Sequence, residues 1–180
     1  MSPIEILLRR FRRDQSGVGA LEFALIAPLM LTVYLGTYEV TQGLAMDRLV
    51  KLNASTITNL VAQYTTISSS RDMPDLFAAT AKIMAPYPSA TPTTVVSCIA
   101  IDSKGNATVA WSQASGGSAR QVGQSITLPP ALDKPNTQVI MGETTMPYKS
   151  PIQFMPIGTW TLYAKTYMFP RASSAINLTT

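Results

Sequence analysis

SGVGALEFALIAPLMLTVYLGTY, residues Ser16 to Tyr38, decides how the rest of the chain is read. From Val18 to Tyr38 it holds 21 residues and one charge, Glu22. The hydrocarbon core of a bilayer is roughly 30 Å thick and takes about 20 apolar residues in a helix. The stretch therefore predicts a transmembrane helix over 18–38. A carboxylate in hydrocarbon costs about 2.5–3.5 kcal/mol on insertion scales, so Glu22 is a functional candidate. Pro28 removes one backbone hydrogen bond and predicts a kink or local loosening, which membrane helices tolerate.

Ahead of this segment, Met1 to Gly17 reads MSPIEILLRRFRRDQSG. Arg9, Arg10, Arg12 and Arg13 flank the apolar run, and such a flank stays in the cytoplasm. The expected topology is a single pass through the inner (cytoplasmic) membrane, N-terminus in, with the C-terminal part outside the cytoplasm. An ordinary secretory signal fits poorly. The apolar run is longer than the usual stretch of about 7–15 residues, and no A-x-A site ends it. Ile4, Leu7, Leu8 and Phe11 recur at near-helical spacing, which suits either a short amphipathic piece on the inner leaflet or a solvated basic flank.

Composition narrows the function classes. Hydrophobic residues make up 46% of the 180 and charged residues only 13%, a skew that the apolar segment largely explains. The formal charge is +4, and its basic cluster is short and abuts the membrane segment, which argues against nucleic-acid binding. There is no histidine, so histidine-based triads, metal sites and general acid–base chemistry are excluded. The one cysteine, Cys98, has no intrachain disulfide partner.

Gly17-Val18-Gly19-Ala20-Leu21-Glu22-Phe23, following a basic leader and opening an apolar helix, resembles the prepilin-peptidase site of type IV pilin-like proteins. The longer text DQSGVGALEFALIAPLMLTVYLGTYEV resembles the TadE-like family, the minor pseudopilins of tight-adherence pili. The resemblance implies that Gly17 is the last leader residue, Val18 the new N-terminus, Glu22 the fifth mature position and Phe23 its aromatic companion. It also implies partners: a prepilin peptidase, other pilins and pseudopilins, and an inner-membrane pilus platform, besides the membrane lipid itself. Val18 and Glu22 are four apart and share a helix face. In an assembly, the carboxylate of one subunit pairs with the freed amine of a neighbour, which offsets the burial of both charges and sets axial register. The plainer alternative is an interfacial glutamate that snorkels to the cytoplasmic headgroups.

Beyond the span, residues 39–67 read as an extension of the same helix. Val50, Ala54, Ile57, Val61 and Tyr64 make one apolar stripe. A helix from Val18 to Tyr64 is roughly 70 Å long. A break at Ser68 to Arg71 follows, then a short second helix with Asp72 as N-cap and Pro74 and Asp75 in its first turn. Leu76, Phe77, Thr80, Ile83 and Met84 share its inner face, and Pro86 and Pro88 end it. TTVVSCIAI, DSKGN and ATVAWSQ predict a hairpin with Cys98 as a buried thiol rather than an intermolecular disulfide. Ser115 to Pro135 reads as a loop with an ordered piece near Ile126. TQVIMGETTMPYK and TWTLYAKTYMFPR predict two more strands joined by SPIQFMPIG. Trp111, Trp160, Tyr163, Tyr167 and Phe169 are expected in the core or in subunit contacts, and the polar tail after Arg171 is expected to fray. The expected fold class is therefore α+β: a long transmembrane helix continuing into a pilin-like head, 68–180, with a short second helix and about four antiparallel strands.

Catalytic signals are missing. Asp72, Asp75, Asp102, Asp133 and Glu143 show no spacing that demands a carboxylate pair, and Asp102 suits a turn. There is no P-loop, G-x-S-x-G or EF-hand pattern. No enzyme activity, cofactor or metal is expected. Three functions remain: a minor pilin-like subunit supporting pilus initiation or assembly and surface attachment, an uncleaved scaffold of the pilus or secretion platform, and a bitopic extracytoplasmic binding module.

Overall fold

A computed structural model describes residues 17–84, 91–154 and 158–180. The arginine cluster at Arg9, Arg10, Arg12 and Arg13, and the helix-ending Pro86 and Pro88, lie outside the described residues.

The first element, α1, is one helix from Val18 to Val61, 44 residues long, or about 66 Å. It runs unbroken through Pro28, whose missing N–H removes the donor that an ordinary residue would offer the carbonyl four positions back. Thr32, Thr37 and Thr41 each return a hydroxyl hydrogen bond to the carbonyl four residues earlier. None of residues 18–38 is buried, and Glu39 is the first buried residue of the helix. From there Met46, Val50, Asn53, Ala54, Ile57, Thr58 and Val61 form the inward face, spaced by threes and fours. The helix ends at Val61, short of Tyr64.

β1 (Thr66–Ser68) follows, then α2 (Asp72–Ala81) and a 3-10 turn, Lys82–Met84. Asp72 is the first residue of α2 rather than its cap: its carboxylate accepts the Ser68 N–H at 2.8 Å and so fastens the preceding turn. β2 (Thr93–Ile101), β3 (Ala107–Ser115), β4 (Thr137–Tyr148) and β5 (Trp160–Met168) form a fully antiparallel sheet ordered β3-β2-β4-β5. The Asp102–Asn106 turn closes the hairpin. Asp102 Oδ1 accepts the N–H groups of Lys104 and Asn106, each at 2.8 Å, and Gly105 takes φ 84°. The fold is thus α+β, with a long apolar N-terminal helix, a short second helix and a four-stranded antiparallel sheet.

The tail does not fray: β6 (Asn177–Thr179) pairs in parallel with β1. The anchor is Ile176, fully buried. Its carbonyl accepts Trp111 Nε1–H at 2.8 Å and its N–H donates to Gln138 Oε1 at 2.9 Å. Ile176, with Leu178 packed beside it, carries the tail into the core.

Helix α1 packs on one face of the sheet. Val96, Cys98, Trp111 and Ile140 meet Ile57 and Val61 near its upper end. Met146, Tyr148 and Ala164 meet Met46, Val50 and Ala54 lower down. At Gly142 the helix lies close on the sheet: an added Cβ would stand 2.9 Å from the Ala54 carbonyl. Next to it, buried Asn53 donates to Thr80 O at 3.2 Å and accepts the hydroxyls of Thr94 and Thr144 at 3.4 and 3.3 Å. These bonds satisfy a polar group that would otherwise cost stability in the core. On the opposite face, the loop after β3 lays Ile126 and Leu128 over Ile99, Ile101, Val109 and Val139. β2 is therefore covered on both faces, which explains why Val96 and Cys98 on one face and Ile99 and Ile101 on the other are all apolar.

Candidate functional site

Two regions carry chemistry. The first is the start of α1. Gly17 caps the helix and donates no side chain, and a Cβ built there meets nothing within 4 Å. Val18 is the first helical residue. Glu22 and Phe23, one turn on, are exposed, Phe23 at 72%. Leu21, Leu25, Leu29 and Met30 are exposed as well, so Glu22 stands in an apolar surface with no cover from its own head. A cut between Gly17 and Val18 would remove one helical hydrogen bond, Leu21 N–H to the Gly17 carbonyl at 3.1 Å. The rest of α1 would keep its ladder.

The second region is the foot of the head, where α1 passes from bare to packed. Residues 149–154, after β4, turn back toward the helix here. Glu39, only 5% exposed, accepts Ser150 Oγ–H and the Phe154 N–H on one carboxylate oxygen, both at 2.7 Å. Charge-assisted bonds of this kind are the strong ones. They clamp the connecting segment to the helix one residue beyond the apolar run. Beside the clamp opens a cleft of about 480 Å³ lined by Glu39, Val40, Gly43, Tyr148, Lys149 and Trp160, among others. Trp160 is 48% exposed and Tyr163 also projects outward, so of the two places expected from the sequence, core or subunit contact, neither lies in the core. Trp111 alone of the two tryptophans is a core residue.

A third acidic group is structural in its geometry. Glu143, at the middle of β4, takes a two-pronged hydrogen bond from Arg120 Nε and Nη2, each at 2.9 Å, and a third from Tyr163 Oη–H at 2.6 Å. Burial, and then the hydrogen bond to the Glu143 carboxylate, push the Tyr163 hydroxyl far above its ordinary value. The proton stays on Tyr163, and the carboxylate is saturated by its donors. The arrangement ties the loop bearing Arg120 across the outer face of the sheet.

Glu39 and the Arg120–Glu143–Tyr163 cluster were not singled out from the sequence. Glu39 sits where an extended helix would place any solvated acid, and its partners lie more than 100 positions away. Gly17, Val18, Glu22 and Phe23 lie together on the first turns of α1, as their spacing demands. Among the described residues, no group of three or more histidine, cysteine, aspartate or glutamate side chains is gathered as a metal site.

Comparison with protein-family models, with curated proteins and with solved structures found no match.

Proposed function

We propose that this chain is a TadE-like minor pseudopilin. It inserts through the inner membrane with its N-terminus in the cytoplasm, is trimmed by a prepilin peptidase after Gly17, and displays its α+β head outside the cytoplasm. There it works with other pilins and with the inner-membrane platform to initiate or assemble a tight-adherence pilus, and so supports surface attachment. It acts as a subunit, not as an enzyme.

The observation that carries this reading is the placement of Glu22. It lies one turn past an uncluttered glycine–valine junction, on a helix none of whose first 21 residues is buried. A lone carboxylate on such a surface is costly in lipid and is relieved by a cation. A Val18 amine freed by the proposed cleavage, on an adjacent subunit, would be that cation. Burial of the bare helical half against neighbouring helices is what a filament offers.

Pilus counts and sheared-filament fractions test the reading. Cells carrying Glu22→Gln in place of the wild-type chain should lose most surface pili, while the variant protein still accumulates in the membrane. The wild-type chain should appear in the sheared fraction. Unchanged pilus number with Glu22→Gln would overturn the assembly role. A wild-type chain confined to the membrane fraction would point to the platform scaffold instead.

A further inference from the structure

The foot of the head carries apolar side chains that no part of the described fold covers. Ile152 is 45% exposed, Phe154 41% and Trp160 48%. Their height along α1 is fixed by contacts already described. Phe154 N–H is bonded to Glu39, the residue directly after the apolar run. Trp160 pairs with Tyr148 across β5 and β4, and both line the cleft with Val40 and Gly43. One to four residues past Glu39 amounts to about 2–6 Å of helix rise. Tyr38, 39% exposed, closes the run itself. Lys149 lies in the same cleft wall and is exposed.

Aromatic rings with an apolar body and a polar edge gather at the level of lipid headgroups, and lysines near them snorkel to phosphate. We infer that residues 149–154, together with Trp160, form a membrane foot. Ile152, Phe154 and Trp160 seat the head on the outer surface of the phospholipid bilayer that α1 enters, with Lys149 reaching a lipid phosphate. The Glu39 carboxylate is the clamp that holds this foot at the depth where the helix leaves hydrocarbon. This inference rests on the membrane-spanning reading of residues 18–38. What identifies the occupant as lipid is continuity: the exposed apolar band of α1 and the apolar foot meet at Glu39. With the head so seated, the long helix emerges at a fixed angle, and extraction into a filament would have to break the foot contact first.

The two tryptophans provide an internal control. Trp111 packs against Ile57 and Val61, which lie 18 and 22 residues beyond Glu39, about 27–33 Å farther along the helix. It is out of reach of lipid. The full-length chain is reconstituted into phosphatidylcholine vesicles with or without bromine on the acyl chains near the headgroup, and flotation establishes insertion separately. Bromolipid should quench roughly a third to a half of the wild-type tryptophan emission, since one of two indoles sits in the interfacial belt. The Trp160→Phe variant, altered at a half-exposed site, should float equally and lose almost none. A chain that floats without Trp160 quenching overturns the foot and leaves the span intact. Trp160 unquenched by bromolipid but shielded from aqueous acrylamide at high protein-to-lipid ratio would assign this surface to protein contact, and also overturns it. A chain that does not float refutes both the span and the foot.

Discussion

Gly142→Ala tests how closely the helix must approach the sheet. An added Cβ would stand 2.0 Å from Thr58 Oγ1, 3.3 Å from Thr58 Cβ and 2.9 Å from the Ala54 carbonyl. Thr58 has little room to yield. It is fully buried, and its hydroxyl already donates to Ala54 O at 2.6 Å. Either the helix lifts from the sheet or the Thr58 side chain rotates and gives up that bond. Overpacking of a filled core costs about 1–3 kcal/mol. Replacing glycine recovers about 0.4–1 kcal/mol by restricting the unfolded chain. The net expectation is a loss of about 1 kcal/mol, or roughly 2–4 °C in melting temperature for a chain of this size. Thr58→Ala alone should cost about 1 kcal/mol. The double variant should be less destabilised than the sum by about 1 kcal/mol, because removal of the hydroxyl clears the shortest contact while the Ala54 carbonyl remains. Near-UV circular dichroism melts of the full chain in detergent micelles give all four corners of the cycle. Strict additivity, or a Gly142→Ala chain as stable as wild type, would refute the packing argument.

Deletion of residues 175–180 should destabilise the head by about 4 kcal/mol, from the lost burial of Ile176 and an unsatisfied Trp111 N–H; an unchanged melt would contradict the role of the parallel β1–β6 pair. Burial pushes the Cys98 thiol up to about 12. Because its folded value lies above the unfolded one of about 8.5, the associated stability is complete below that pH and drains away as pH rises toward 12. A denaturant series between pH 8 and 11 reads this decline. At pH 8 the native thiol should resist maleimide until the head unfolds, and rapid native labelling would contradict the burial.

The α+β class was legible because each element carries its own local signature. Val50, Ala54, Ile57 and Val61 step along one helix face, and the strand of Cys98 carries apolar residues on both faces because both are covered. The hairpin turn at Asp102 to Asn106 was equally plain, since its chemistry is contained within five residues. What escaped the sequence depends on distant partners. Ile176 is the one large apolar residue in the tail besides Leu178, and only the position of Trp111 makes it a core residue. Trp160 looks like core from composition, yet the strand places it at the margin beside Glu39 and Val40. Glu39 and Glu143 resemble solvated acids until the segments from Ser150 and Arg120 fold over them. Local pattern cannot reveal a carboxylate whose donors arrive from another part of the chain.

The account turns on what happens at the Gly17–Val18 junction. Intact mass and N-terminal sequencing of the protein extracted from membranes of cells that hold the cognate peptidase address it directly. The account predicts a chain that begins at Val18, which places Glu22 at the fifth position and frees the amine that it needs. A chain that still begins at Met1 or Ser2 would contradict the processed-pseudopilin reading and favour a permanent membrane anchor.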